Sequence, residues 1–95
     1  MYRIIYTKQA VKDIQNLKSC GLDKKARSLI EIMRSNPFQN PPPYERLVGN
    51  LNGYYSRRIN IQHRLVFQVL QEPNTHEDVV YDGYVRIIRM WTHYE

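Results

Sequence analysis

The sequence predicts an α+β domain in the order β-α-α-β-β-β, a helical hairpin packed on a mainly antiparallel sheet. Three observations carry that prediction. A short aromatic and β-branched run opens the chain, two segments with apolar residues at three- and four-residue steps follow, and three strand-like runs close it. Consecutive strands placed after a pair of helices favour an antiparallel sheet, because short connections pair neighbours that way.

Each element has its own reason. Tyr2 to Tyr6 (YRIIY) reads as a strand, and Thr7 after it as a helix N-cap. From Lys8 to Ser19 the apolar residues Ala10, Val11, Ile14 and Leu17 make one stripe, and Cys20-Gly21 ends the helix. Asp23 caps a second helix whose stripe is Ala26, Leu29, Ile30 and Met33, stopped by Asn36-Pro37. Residues 37–44, PFQNPPPY, hold four prolines, which fix φ and lack the amide donor, so they predict a stiff extended connection. Asn50 to Gly53 carries turn chemistry. Tyr54–Ile59, Arg64–Leu70 and Tyr84–Trp91 then read as strands, with Phe67, Val69, Ile88, Met90 and Trp91 as core candidates.

With 95 residues, of which 42% are hydrophobic and 24% charged, the chain is expected to form a single domain over residues 1–95. A domain of this size buries roughly 60–65% of its unfolded surface. That leaves no internal cavity for a large cofactor, and function is expected on a surface cleft. Fourteen basic against nine acidic side chains give a formal charge of +5, which favours polyanionic partners. The excess lies before residue 49, while Glu72, Glu77, Asp78 and Asp82 gather in a segment expected to be a solvated hairpin tip.

A lone cysteine, Cys20, excludes an internal disulfide framework and fits a reducing cytoplasm. The first residues lack the order of charge and apolar length of a signal peptide, and no run approaches membrane-spanning length. A cytoplasmic protein without membrane contact is expected. The three histidines lack ligand-like spacing with carboxylates or with Cys20, so neither a metal nor a cofactor is expected.

A hairpin centred near residue 78 brings Arg64 toward His93, and a tighter turn near Ile61 brings Arg58 opposite Arg64. Two guanidinium groups and an imidazole then share one end of the sheet. A one-residue slip in register would change the face they share but not the end. Such a cluster suits cleavage of RNA through its own 2′-hydroxyl, which needs a base, cations for the developing phosphorane charge, and an acid for the leaving 5′ oxygen. Glu45 is the candidate base and Arg64 the bidentate phosphate clamp. His93 is the candidate acid, and Tyr94 stacks on a base or positions the phosphate.

The stretch PPYERLVGNLNGYYSRRINIQHRLVFQV, residues 42–69, together with the terminal RMWTHYE, resembles the Txe/YoeB branch of the RelE/ParE-like toxins. Asn50-Leu51-x-Gly53, Ser56-Arg57-Arg58-Ile59, His63-Arg64-Leu65-Val66 and His93-Tyr94 carry the resemblance. It implies a toxin of a bacterial type II toxin–antitoxin system that enters the ribosomal A site and cuts mRNA, leaving a cyclic 2′,3′-phosphate and a 5′-hydroxyl. It also implies catalytic roles for Glu45, Arg64, His93 and Tyr94, a phosphate contact at Arg58, and a cognate antitoxin of the Phd/YefM type. A homodimer or a toxin–antitoxin hetero-oligomer is compatible with it.

Each residue also has an ordinary reading. Glu45 alone would be a solvated loop carboxylate, Arg64 a strand-edge charge, and His63, His76 and His93 exposed histidines. Arg57 and Arg58 are adjacent strand residues, so at most one faces the cleft, the other being structural or facing antitoxin. Tyr54 and Tyr55 are the other candidate RNA contacts near the cleft. Lys8 and Lys12 lie four apart on the first helix and Lys24, Arg27 and Arg34 along the second, as a solvated face aided by an Arg27–Glu31 pair or as a surface for ribosomal RNA. The competing function is a non-catalytic toxin on the same scaffold that inhibits DNA gyrase, as ParE-like relatives do. A less favoured third is an inactive partner that only represses transcription.

Overall fold

The computed structural model describes residues 1–49 and 53–91. The chain runs β1 (Tyr2–Tyr6), α1 (Lys8–Ser19), α2 (Asp23–Ser35), β2 (Glu45–Arg46), β3 (Tyr55–Arg58), β4 (Arg64–Leu70), β5 (Asn74–His76), β6 (Val79–Tyr81) and β7 (Gly83–Arg89). β1, α1 and β4 have the bounds read from the sequence. Five strands form one sheet in the order β1-β7-β4-β3-β2, with β1 parallel to β7 and the other neighbours antiparallel. No helix among the described residues is long and apolar enough to cross a membrane.

Thr7 caps α1 as expected, its Oγ1 accepting from the Ala10 amide at 3.1 Å while donating to the Ile88 carbonyl at 2.8 Å. Gly21, with φ of 74°, ends α1 in the left-handed conformation that lets the Leu22 amide return to the Leu17 carbonyl at 2.9 Å. α2 differs from expectation at its start. Its cap is Leu22, which makes no side-chain cap bond, and Asp23 is the first helical residue, where a carboxylate complements the helix dipole. On the surface of α2, Glu31 pairs with Arg34 at 3.3 Å, one turn on, rather than with Arg27.

Both helices cover one face of the sheet. Ala10, Leu17, Ala26, Leu29, Ile30 and Met33 pack with the strand residues Leu65, Phe67, Val85 and Ile87 and with Met90 into one core. Val11, expected in that stripe, is 51% exposed. The inward place belongs to Asp13, fully buried, whose carboxylate accepts from the Met90 amide and from Gln9 Nε2, each at 2.9 Å. Asp13 thus ties α1 to the chain just past β7. Asp13→Ala is expected to lower stability by about 1–3 kcal/mol, because the Met90 amide would stay buried without an acceptor. Urea unfolding measures this, and an unchanged midpoint would remove Asp13 as a structural tie.

The acidic segment forms a two-stranded sheet of its own, β5 with β6, turning at Glu77 and Asp78 with φ of 49° and 65°. Positive φ at both central residues suits the right-handed twist of a two-residue hairpin. Gly83, where β7 begins, has a different constraint. A Cβ there would collide with the Leu70 carbonyl oxygen on β4 and press on the Tyr2 ring. Backbone cannot move aside cheaply, so Gly83→Ala is expected to cost about 1–3 kcal/mol by overpacking. A thermal midpoint equal to that of the parent would disprove the collision.

Candidate active site

Strand alternation builds the site. Glu45 lies opposite Ser56, and Arg58 opposite Arg64, so that residues two apart on β3 project to the same side. β2 has only Glu45 and Arg46, and one further bond, Leu47 amide to Tyr54 carbonyl at 2.9 Å, extends the pairing. On the side away from the helical core, Arg64 Nη1 donates to Glu45 Oε2 and to Ser56 Oγ, both at 3.2 Å. Glu45 is 64% exposed and Arg64 24%.

These groups line a cleft of about 270 Å³ bounded by Pro43, Tyr44, Glu45, Ser56, Arg58 and Arg64. It presents one carboxylate, two guanidinium groups and a hydroxyl. The carboxylate can accept a proton, and the guanidiniums can bind phosphoryl oxygens bidentately. The structure therefore brings together Glu45, Arg58 and Arg64; turn length anticipates Arg58 opposite Arg64, and the β2–β3 pairing adds Glu45. Ser56 was missed as a site residue although it stands in the same motif. It is 1% exposed, and the signal available is its position two residues before Arg58 in an alternating strand, which puts both on one side.

Arg57 is not where an RNA contact would be. It points to the helical side, 1% exposed, and its guanidinium donates to the carbonyls of Pro42 at 2.6 Å, Pro37 at 2.8 Å and Gln39 at 2.9 Å. Its assignment to RNA binding is corrected accordingly, and the structural alternative for the Arg57-Arg58 pair holds. Burial lowers its pKa from the usual guanidinium value, opposed by the nearby Tyr44 phenol. Tyr55 is also redirected. It stacks on Phe67 at 5.7 Å and meets Phe38 and Tyr44 edge-on at 5.1 and 6.0 Å, so its ring belongs to the aromatic packing beneath the proline segment.

Tyr54 is half-buried at the entry to β3. Lys8 and Lys12 are exposed on α1, in the helical layer, and do not line the cleft. His93 and Tyr94 lie outside the described residues, as do Asn50 to Asn52. The last described residue before them, Trp91, stacks on His63 with ring centres 4.2 Å apart. His63, expected to be exposed, is 6% exposed and immediately precedes Arg64. Among the described residues no group of three His, Cys, Asp or Glu side chains is arranged to hold a metal ion.

A helical hairpin on one face of a mainly antiparallel sheet is the fold of the YoeB and ParE-like toxins of known structure. A YoeB/ParE toxin from Agrobacterium tumefaciens has the same fold, with a TM-score of 0.77 at 24% identity, covering 97% of this chain and 99% of that one. YoeB from Staphylococcus aureus, solved as a dimer, is 30% identical with a TM-score of 0.72 and 98% of each chain covered; its complex with YefM gives 29%, 0.72 and 99%. Residues 6–94 match the YoeB-like toxins of bacterial type II toxin–antitoxin systems, and the chain belongs to that family. Toxin YoeB of Synechocystis sp. is 44% identical over 46 residues, which is 48% of this chain and 54% of that protein. The match thus spans about half the length of that curated relative.

Proposed function

We propose that this toxin is a ribosome-dependent endoribonuclease that cuts mRNA in the A site without metal or cofactor. The observation that carries the reading is the Glu45–Arg64 pair at 3.2 Å, facing a cleft that Arg58 also lines. In the free protein Arg64 holds the Glu45 carboxylate. An arriving phosphodiester can take two guanidinium N–H groups bidentately in place of the single bond to Glu45, which releases the carboxylate to take the 2′-hydroxyl proton. The 2′ oxygen then forms its bond to phosphorus, Arg64 and Arg58 hold the equatorial charge, and the 5′ oxygen leaves with a proton from His93. Tyr94 places the substrate. The products are a cyclic 2′,3′-phosphate and a 5′-hydroxyl.

The partners follow the same reading. A YefM-like antitoxin with an acidic segment would cover the basic cleft, supported by the S. aureus YoeB–YefM complex, and a homodimer is supported by the S. aureus YoeB dimer. Tyr54, at the entry to β3, would meet an unstacked base, while Lys8 and Lys12 would face ribosomal RNA from the helical layer, all in the cytoplasm. The test maps mRNA ends after incubation with and without ribosomes. Cuts that need ribosomes, carry cyclic phosphate and fall with His93→Ala support the assignment. Undiminished cutting by His93→Ala removes the acid, and gyrase inhibition without any cutting replaces the reading with the non-catalytic one.

A further inference from the structure

Glu45 sits on a two-residue strand that directly follows a segment with four prolines. Two residues of ladder are too few to fix a side chain that is 64% exposed. The segment before it is fixed from below. Arg57 Nη1 bonds the Pro42 carbonyl, and Nη2 bonds those of Pro37 and Gln39, so one guanidinium gathers both ends of the proline connection. The Tyr44 and Phe67 rings close over it at 5.2 and 5.8 Å. Arg57 Nε is buried without a partner among the described residues, and no carboxylate of those residues pairs with the charge. A buried cation compensated only by carbonyl dipoles is a poor stabiliser, and hydrophobic replacements for buried charges are often neutral. What a planar fork supplies that an apolar chain does not is geometry.

We infer that Arg57 is a positioning residue for Glu45: its guanidinium clasps the carbonyls of residues 37, 39 and 42 and thereby sets where β2 presents the carboxylate beside Arg64. The inference rests on the proposed role of Glu45. Arg57 lies on the opposite side of β3 from the cleft, so it acts through the backbone and not on RNA. Misplacement of a reacting group by about 1 Å costs up to about 10²-fold in rate.

Arg57→Met keeps the length and apolar packing but removes the clasp. In single-turnover cleavage on ribosomes its saturating rate is expected to fall about 10-fold or more, with the half-saturating concentration unchanged. On a Glu45→Gln background the same change should lower the rate no further. Hydrogen exchange supplies a readout besides activity: the Leu47 amide, bonded to the Tyr54 carbonyl at 2.9 Å, should exchange faster in the folded variant. An unchanged saturating rate, or a raised half-saturating concentration alone, would overturn the inference. If the parent cuts no mRNA, the proposed function fails, while equal Leu47 protection in parent and variant would independently refute the clasp. Should Arg57→Met not fold, Arg57→Lys keeps the charge without the fork and carries both readouts.

Discussion

Glutamine in place of Glu45 is expected to lower the saturating rate of ribosome-dependent cleavage by about 10²–10⁴-fold, the range of a positioned general base. Stability should hardly change. Glu45 is 64% exposed and its ion pair with Arg64 lies at the surface, where such pairs contribute about 0–1 kcal/mol. Binding should not weaken either, because the substitution removes a negative charge from a cleft that receives phosphate and frees Arg64 from its intramolecular partner. The expected signature is therefore a loss in the chemical step with equal or tighter binding. A quench-flow measurement at saturating ribosomes separates the two. A rate within a few-fold of the parent would exclude the carboxylate as base, and a rise in half-saturating concentration would make it a binding group instead.

Glu45 also shows where the sequence was readable and where it was not. β1, β4 and the first helix, whose apolar spacing is regular, have the bounds their patterns imply, while the strands expected at Tyr54–Ile59 and Tyr84–Trp91 run over Tyr55–Arg58 and Gly83–Arg89. Arg58 opposite Arg64 follows from turn length alone. β2 was hidden by the prolines beside it, because its two residues are ordered by Tyr55 and Ser56 across the ladder and not by their own propensity. The small hairpin of β5 and β6 was read only as a charged tip, its strands being short and exposed.

The polar interior was the least legible part. Asp13 carries no signal of burial in the sequence, because carboxylates are seldom buried and the groups that compensate it, the Met90 amide and the Arg89 guanidinium, come from far along the chain. His63 is read as exposed because its cover, Trp91, arrives from the end of β7. Arg57 was placed in the right alternation with Arg58, but strand period cannot say which of two arginines is needed inside. That depends on three carbonyls in a segment with no regular structure to announce them.

Alanine at Arg64 is expected to lower the cleavage rate by about 10²–10³-fold, the usual effect of removing one preorganised group from a developing oxyanion. The geometry gives this residue two duties. It is held by Glu45 and Ser56 before substrate arrives, so its side chain is already ordered and little entropy is lost when phosphate replaces the carboxylate. Arg64→Lys keeps the charge but presents a point cation that cannot span two phosphoryl oxygens, and its rate should fall between those of the parent and Arg64→Ala. The double variant Glu45→Gln with Arg64→Ala should lose much less than the product of the two single losses, because base and clamp act on one transition state and depend on one another's placement. Strictly multiplicative losses would show two independent groups that merely share a cleft. Equal rates for lysine and arginine would assign Arg64 a general field effect, and the bidentate clamp would have to be sought at Arg58.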